Sequence, residues 1–263
     1  MSLCKCLLAV LIICAVPISA NAQLQRTICA WDTRTPDQGN FSSSLGWGYE
    51  TIEYKEMEVD GYTMTTSYFL SYGILANWSV GGKATYEKWQ ESGYGAKFSE
   101  SGAGDADLIT TLRILNEDKS GIDFAFRGSL RIPTGNEDKY LGTGHWEPKL
   151  QILAAKTLGK ILTVSNFGIR RIIDSTENEN DFVFDTSLEG VLPLTAQLCA
   201  SVSMAAWTSR WKTSEDDYYL QLGCGLKLTP TKNSFFSLGV YRLVNSDVYK
   251  NDLYFSLGTG IEF

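Results

Sequence analysis

The sequence predicts an all-β chain, a transmembrane antiparallel up-and-down β-barrel of about twelve strands. Three observations carry that expectation. Side-chain polarity alternates with period two from about residue 41 to the C-terminus. The connections between alternating runs are short and long in turn, and aromatic residues gather near run ends.

The first element lies ahead of the barrel. Residues 1–22 read as a cleaved signal peptide: Lys5 supplies a positive start, 7–16 an apolar stretch too short to span a bilayer, and Ala20-Asn21-Ala22 a small-x-small cleavage site. Ile13 before Cys14 is too bulky for a lipoprotein signal. Residues 23–40 are polar and turn-rich, and fit either a tail or a small plug within the lumen. Residues 41–263 are expected to form the barrel.

Alternating runs follow at about 41–54, 62–75, 78–90, 104–115, 122–133, 145–157, 161–173, 182–192, 195–207, 217–228, 234–244 and 252–263. The fifth is among the clearest: Ile122, Phe124, Phe126, Leu130 and Ile132 occupy one face, Asp123, Ala125, Arg127, Ser129 and Arg131 the other. The seventh alternates least well. Pro133, Pro193 and Pro230 fall at strand ends or turns, where a missing N–H costs little, whereas Pro148 lies inside the sixth run and argues against its boundary. Tight connections such as 76–77, Gly159 with its neighbours (158–160) and 193–194 fall on one side; longer ones such as 91–103, 134–144, 174–181 and 208–216 fall on the other. A membrane barrel sorts its connections this way, with short periplasmic turns and longer external loops.

Period alone does not say which face points in, because a soluble barrel alternates too. The membrane reading places apolar residues outward. Aromatics at Trp47, Tyr49, Tyr68, Tyr72, Trp78, Trp146 and Tyr218 suit interfacial girdles. The chain ends on Phe263, with Ile261, Leu257 and Phe255 at alternate positions behind it, a pattern that resembles the signal read by outer-membrane assembly machinery.

Composition excludes several classes. The 263 residues carry a net charge of −7, which becomes −8 once Lys5 leaves with the signal; no basic face suggests nucleic acid. A mean hydropathy of −0.11 excludes a multi-helix membrane protein, and 44% hydrophobic residues exclude disorder. Of six cysteines, Cys29, Cys199 and Cys224 follow the signal; with no CxxC, neither a zinc site nor a redox motif is suggested. No cofactor or metal is expected.

The middle of the chain reads Gly104-Asp105-Ala106-Asp107-Leu108, then Arg127 to Ile132 followed by Pro133-Thr134-Gly135, then Leu141-Gly142-Thr143-Gly144. In this order the segments resemble the transporter-like outer-membrane barrel family associated with meta-pathway phenol degradation. The resemblance covers roughly 100–160 well, and the first and last strands weakly. It implies a membrane barrel admitting aromatic or other apolar compounds, and brings no defined site residues with it.

The face opposite the apolar one would line the lumen. It carries Lys83, Glu87, Asp105, Asp107, Arg113, Asp123, Arg127, Arg131, Glu147, Lys149, Gln151, Asp185, Glu189, Gln197, Gln221 and Lys227. Neither sign dominates. These charges could pair across the barrel and close it, or form a polar path with Arg127, Arg131, Asp105 and Asp107 as its constriction. His145 invites comparison with outer-membrane lipid hydrolases that place a Ser two residues after a strand-borne His; here that position is Glu147, so His145 reads as an interfacial or loop-base residue. Residues 135–144 lack the Gly-Lys-Ser/Thr ending of a phosphate loop. Residues 174–181 lack the glycine of a calcium loop, so a solvated acidic loop is expected there, with weak divalent bridging to lipopolysaccharide as the alternative.

The sequence thus points to a channel or transporter-like barrel and not to an enzyme, with a closed structural barrel as the rival reading. Its expected partners are outer-membrane lipid, lipopolysaccharide, the barrel assembly machinery and a small-molecule solute.

Overall fold

In the computed structural model, residues 32–54, 59–93, 96–212, 218–245 and 249–263 are described. The expected signal peptide, residues 1–22, and residues 23–31 lie outside them.

Alternation over the whole chain leaves no stretch for long helices, and the chain folds into one antiparallel sheet. Its strands are β1 (Phe41–Tyr54), β2 (Val59–Leu75), β3 (Trp78–Gly93), β4 (Ala96–Ala103), β5 (Ala106–Leu115), β6 (Asp123–Ile132), β7 (Glu147–Leu158), β8 (Ile161–Arg171), β9 (Phe182–Pro193), β10 (Leu198–Thr208), β11 (Tyr218–Thr231), β12 (Ser234–Asn245) and β13 (Tyr249–Glu262). Each strand from β5 to β13 pairs with the next; β1 pairs with β2 and β13, and β2 with β3, so the sheet closes. β4 and β5 are one stave interrupted at Gly104-Asp105, and both pair with β3. The result is a closed twelve-stranded antiparallel barrel. The only α-helix among the described residues is one turn, α1 (Glu117–Ser120), in the connection between β5 and β6.

Three boundaries differ from the sequence expectation. Residues 91–103 are no loop: β3 continues to Gly93 and returns as β4. Their polar, glycine-containing sequence hides a hairpin that β2 flanks to its end on one side and that runs past β5 and β6 on the other, leaving β4 exposed on both faces without polarity alternation. Pro148 is the second residue of β7, close to the strand start, where a missing donor is tolerated. Pro230 lies within β11 beside a register shift between Leu228 and Thr231.

The polarity of the two faces decides which medium surrounds the barrel. Outward leucines and aromatics are bare: Leu108 and Leu150 are each 54% exposed, and Val202 67%. Inward charges are covered: Glu189 is 0% exposed, Glu147 1% and Lys227 2%. A water-soluble barrel would reverse this, because burying charge while leaving a belt of leucine in water is doubly unfavourable. Outward aromatics cluster at the short-turn end, where Phe41 lies 4.7 Å from Tyr72 and 5.9 Å from Phe263. Phe41 and Phe263 also exchange both backbone hydrogen bonds, so the last residue seals the seam between first and last strands.

The inner face is not uniformly polar. Ala125, Leu153, Ala155, Val164 and Val191 form a buried apolar layer toward the short-turn end of β6 to β9. On the opposite wall Tyr241 lies flat where Gly223 and Gly239 leave room; a Cβ at either glycine would collide with its ring.

Candidate functional site

The described part of the N-terminal segment enters the lumen at the short-turn end. Asp32, Thr33 and Thr35 are buried. Backbone bonds tie the segment to β2: the Gly39 N–H donates to the Gly73 carbonyl (2.9 Å) and the Gly73 N–H to the Asn40 carbonyl (3.0 Å). Gly73 is required there, since a Cβ would strike the Pro36 and Asp37 carbonyls. The Asp37 N–H reaches Glu262 (3.4 Å) and the Thr35 hydroxyl the Ala76 carbonyl (3.5 Å). Only about 60 Å³ remains between this segment and the wall residues Ser71, Thr111, Arg127 and Phe235. That is space for a few waters at most.

The long-loop half carries a connected charge network. Glu147 at the start of β7 has no exposed side-chain surface and accepts from three arginines: Arg131 of β6 (3.2 Å), Arg170 of β8 (3.3 Å) and Arg210 after β10 (2.7 Å). Arg131 also contacts Asp107 (3.4 Å), which Lys83 approaches at 3.9 Å. Lys149 pairs with Asp185 at 2.8 Å. Arg210 bridges to Glu179 (2.7 Å), and His145 meets the same carboxylate at 3.2 Å through Nε2 while Nδ1 faces the Ile173 carbonyl. Burial alone would raise the Glu179 carboxyl, but the Thr176 N–H and the Arg210 guanidinium outweigh it and hold Glu179 below the usual carboxylate range.

The loop 174–181 is largely exposed, as at Asp174, Glu177 and Asp181, but Glu179 is the exception. It is 1% exposed, and the loops on either side of β9 and β10 zip together through Asn180 N–H to Arg210 carbonyl and Lys212 N–H to Asn178 carbonyl. Among the described residues no carboxylate, histidine or cysteine cluster could hold a metal ion.

Asp105 has a different task. It accepts from the Gly135 N–H (3.1 Å), the Thr143 N–H (2.8 Å) and the Thr143 hydroxyl (2.8 Å). The Thr134 hydroxyl accepts from the Ala106 N–H (3.0 Å) and donates to the Gly104 carbonyl (3.1 Å). Gly135 and Gly142 touch, and a Cβ on either would meet backbone. The Gly-Asp, Pro-Thr-Gly and Leu-Gly-Thr-Gly segments therefore form one clasp that folds the loop after β6 against the break between β4 and β5. Glu87 stands beside it, near Gly104.

The remaining sequence candidates separate by height. Arg127 does not join Arg131, Asp105 and Asp107 in one constriction. It is four residues lower on β6, donates to the Thr111 hydroxyl (3.0 Å), and lines the small space beside the N-terminal segment. Lys227 and Glu189 are in this lower layer, with Lys227 in the field of Asp32 and Glu189 and its Nζ 4.6 Å from the Phe235 ring centre. Arg113 and Asp123 fasten connections at the short-turn end: Arg113 donates to the Ala76 carbonyl (3.1 Å), and Asp123 accepts the Glu117 N–H (2.9 Å) at the start of α1. Gln151 is buried on the inner face, whereas Gln197 belongs to the turn before β10 and donates to the Pro230 carbonyl. Gln221 shares the inner-face parity of Lys227 on β11.

Sequence reasoning missed Arg170, Arg210 and Glu179. Arg170 shares the inner face of β8 with Val164, Asn166 and Gly168, but Val164 is apolar and the outward Ser165 is polar, which scrambles the alternation. Arg210 and Glu179 come from loops, where no periodicity points at the lumen.

Two cavities lie at the long-strand end of the barrel. One, of about 370 Å³, is bounded by Glu50, Ile52, Glu147, Arg170, Trp207, Tyr219 and Asp252 among others. The other, about 870 Å³, lies at the long ends of β13, β1, β2 and β3, is lined mainly from their outward face by Tyr49, Thr51, Tyr62, Gln90 and Arg242, and shares Ile52 and Asp252 with the first. They meet where β12 and β13 stop pairing, above Arg242 and Leu253.

Comparisons with known proteins agree on the fold. No family model and no curated protein matches the sequence. Among solved structures, an outer-membrane channel from Pseudomonas putida F1 superposes with a TM-score of 0.74 at 15% identity, covering 90% of this chain and 100% of that one. The NanC porin superposes at 0.59 with 7% identity over 83% and 98%. The translocator domain of the autotransporter NalP from Neisseria meningitidis does so at 0.53 with 12% identity over 85% and 88%. At such identities the likeness shows the fold, an outer-membrane type of β-barrel shared by channels, porins and a translocator domain.

Proposed function

We propose that this chain is an outer-membrane channel that passes small apolar or aromatic compounds, with its short turns in the periplasm and its longer loops outside. The observation that carries this reading is the arrangement of the lumen. A charged upper ring and an inner cavity of about 370 Å³ stand above a floor formed by residues 32–36, a segment that precedes the wall strands. A barrel closed for purely structural reasons has no need of a detachable floor. The apolar outer belt meets membrane lipid and lipopolysaccharide, and the Phe255, Leu257, Ile261 and Phe263 stripe is the feature offered to the assembly machinery. The likeness of 100–160 to the family associated with phenol degradation, together with Trp207, Tyr219 and Tyr241 on the inner wall, supports aromatic cargo.

Glu147 favours the second reading, a structural barrel closed by its charges, because three arginines converge on it. Planar-bilayer recording separates the two. The channel reading expects discrete current steps that fall when a soluble aromatic compound is added. A protein that inserts but never conducts, at any voltage, supports the closed barrel instead.

A further inference from the structure

We propose that the 370 Å³ cavity at the long-loop end binds an organic ammonium ion carrying an aromatic or apolar body. The proposal deepens the channel reading above, in that it names the chemistry of a cargo or blocker.

The volume lies within the range of small-ligand sites. Its walls are of two kinds. Trp207 and Tyr219, from adjacent strands, lie side by side with ring centres 5.7 Å apart and planes tilted by 31°, and Trp211 and Leu243 extend this apolar surface. Across from Glu147, the inner face presents Glu50 of β1 and Asp252 of β13. Glu50 is opposite Tyr254 and Ile52 opposite Asp252, so the two carboxyl groups are diagonal neighbours on one face, close enough to share a proton between them, a place an ammonium donor can take.

Charge pairing chooses the sign of the ligand. In this half of the barrel Lys83 and Arg131 answer Asp107, Lys149 answers Asp185, and Arg131, Arg170 and Arg210 answer Glu147 and Glu179. Among the described residues no cation lies within ion-pair distance of Glu50 or Asp252. Oδ1 of Asp252 is buried and accepts no hydrogen bond from any of them. A buried carboxylate oxygen in that condition is costly and calls for a donor. An ammonium group supplies charge-assisted donors, and the indole and phenol faces attract the same cation. A bare metal ion suits the site poorly, because hard cations need six or more oxygens and these walls are largely aromatic and aliphatic. A carboxylate ligand would have to draw Arg170 or Arg210 away from Glu147, which is fully buried.

The test uses the mature protein folded in detergent micelles and isothermal titration calorimetry. Three probes share one ring and chain: 2-phenylethylammonium, 2-phenylethanol and 3-phenylpropionate. The ammonium ion is expected to bind saturably, at least about tenfold more tightly than the other two. Glu50→Gln with Asp252→Asn is expected to remove that preference, while Glu50→Asp keeps part of it; heat-modifiable gel migration verifies that each variant is a folded barrel. The probe series on the unaltered protein stands alone if a variant fails to fold. Absence of ammonium binding, equal or tighter binding of the alcohol or the carboxylate, or an unchanged preference in the double variant overturns the proposal. Calorimetry does not require conduction. Amine binding by a barrel that never conducts would uphold this site and refute the channel reading, and conduction without amine binding would do the reverse.

Discussion

Glu147→Gln is the most informative single substitution. The carboxylate has no exposed side-chain surface and accepts from three arginines at 2.7–3.3 Å. Two of them have a second acid, since Arg131 keeps Asp107 and Arg210 keeps Glu179. Arg170 has Glu147 as its ion-pair partner among the described residues, so the substitution strands one guanidinium inside the barrel. Breaking a buried pair from one side costs about 3–5 kcal/mol. Arg170 retains 27% exposure, and water reaching it screens part of the loss, which lowers the expectation to about 2–3 kcal/mol. Equilibrium urea unfolding of the barrel in lipid vesicles, followed by intrinsic tryptophan fluorescence, reads this directly. A loss below about 0.5 kcal/mol, the range of an ordinary surface substitution, would refute the reasoning and mean that the three arginines are held by something other than Glu147.

Other outcomes follow from the same geometry. Leu188→Arg should cost about 2–4 kcal/mol, because Leu188 faces outward at mid-strand and would meet hydrocarbon; were the barrel water-soluble, this 44% exposed leucine would accept arginine at little cost, and folding yield in vesicles distinguishes the cases. Gly142→Val should spring the clasp around Asp105, since its Cβ would meet Asp105 and Gly135; faster proteolytic cutting within 133–146 is the expected readout. The Glu179 contact should be insensitive to pH over most of the acidic range. Its carboxyl is held below the ordinary 4.5, so its contribution is complete above about pH 4.5 and is lost only as pH falls through the lower folded value. The pH-dependent part of the Trp211 emission, isolated by comparison with Trp211→Phe, should change below pH 4.5; a midpoint at or above it contradicts the assignment.

Much of the barrel is legible in its sequence because lipid and lumen impose opposite chemistry on successive residues. Wherever both faces are fully engaged, as in β6 with Phe124 and Phe126 outside and Arg127 and Arg131 inside, alternation marks the strand and its register. It fades where one medium is missing. β4 runs past β5 and β6 and reads as a loop, and β8 turns Val164 into a dry layer while Ser165 faces out. The charge network was half visible for the same reason. Asp107, Arg131, Glu147, Lys149 and Asp185 lie on regular strands, whereas Arg210 and Glu179 reach Glu147 and His145 from loops whose placement depends on long-range pairing. The Gly-Asp, Pro-Thr-Gly and Leu-Gly-Thr-Gly segments stood out in the sequence, but their meeting in one clasp required the closed sheet.

The account turns on the N-terminal segment as a removable floor, and one recording tests it most directly. Single-channel conductance of the chain from residue 23 onward should be compared with that of a chain lacking residues 23–38 as well, both inserted in planar bilayers. Removing the segment that leaves only about 60 Å³ beside Arg127 and Phe235 should raise the conductance severalfold. Equal conductance in the two proteins would contradict the account, since the charge network around Glu147, and not residues 32–36, would then be what limits the pore.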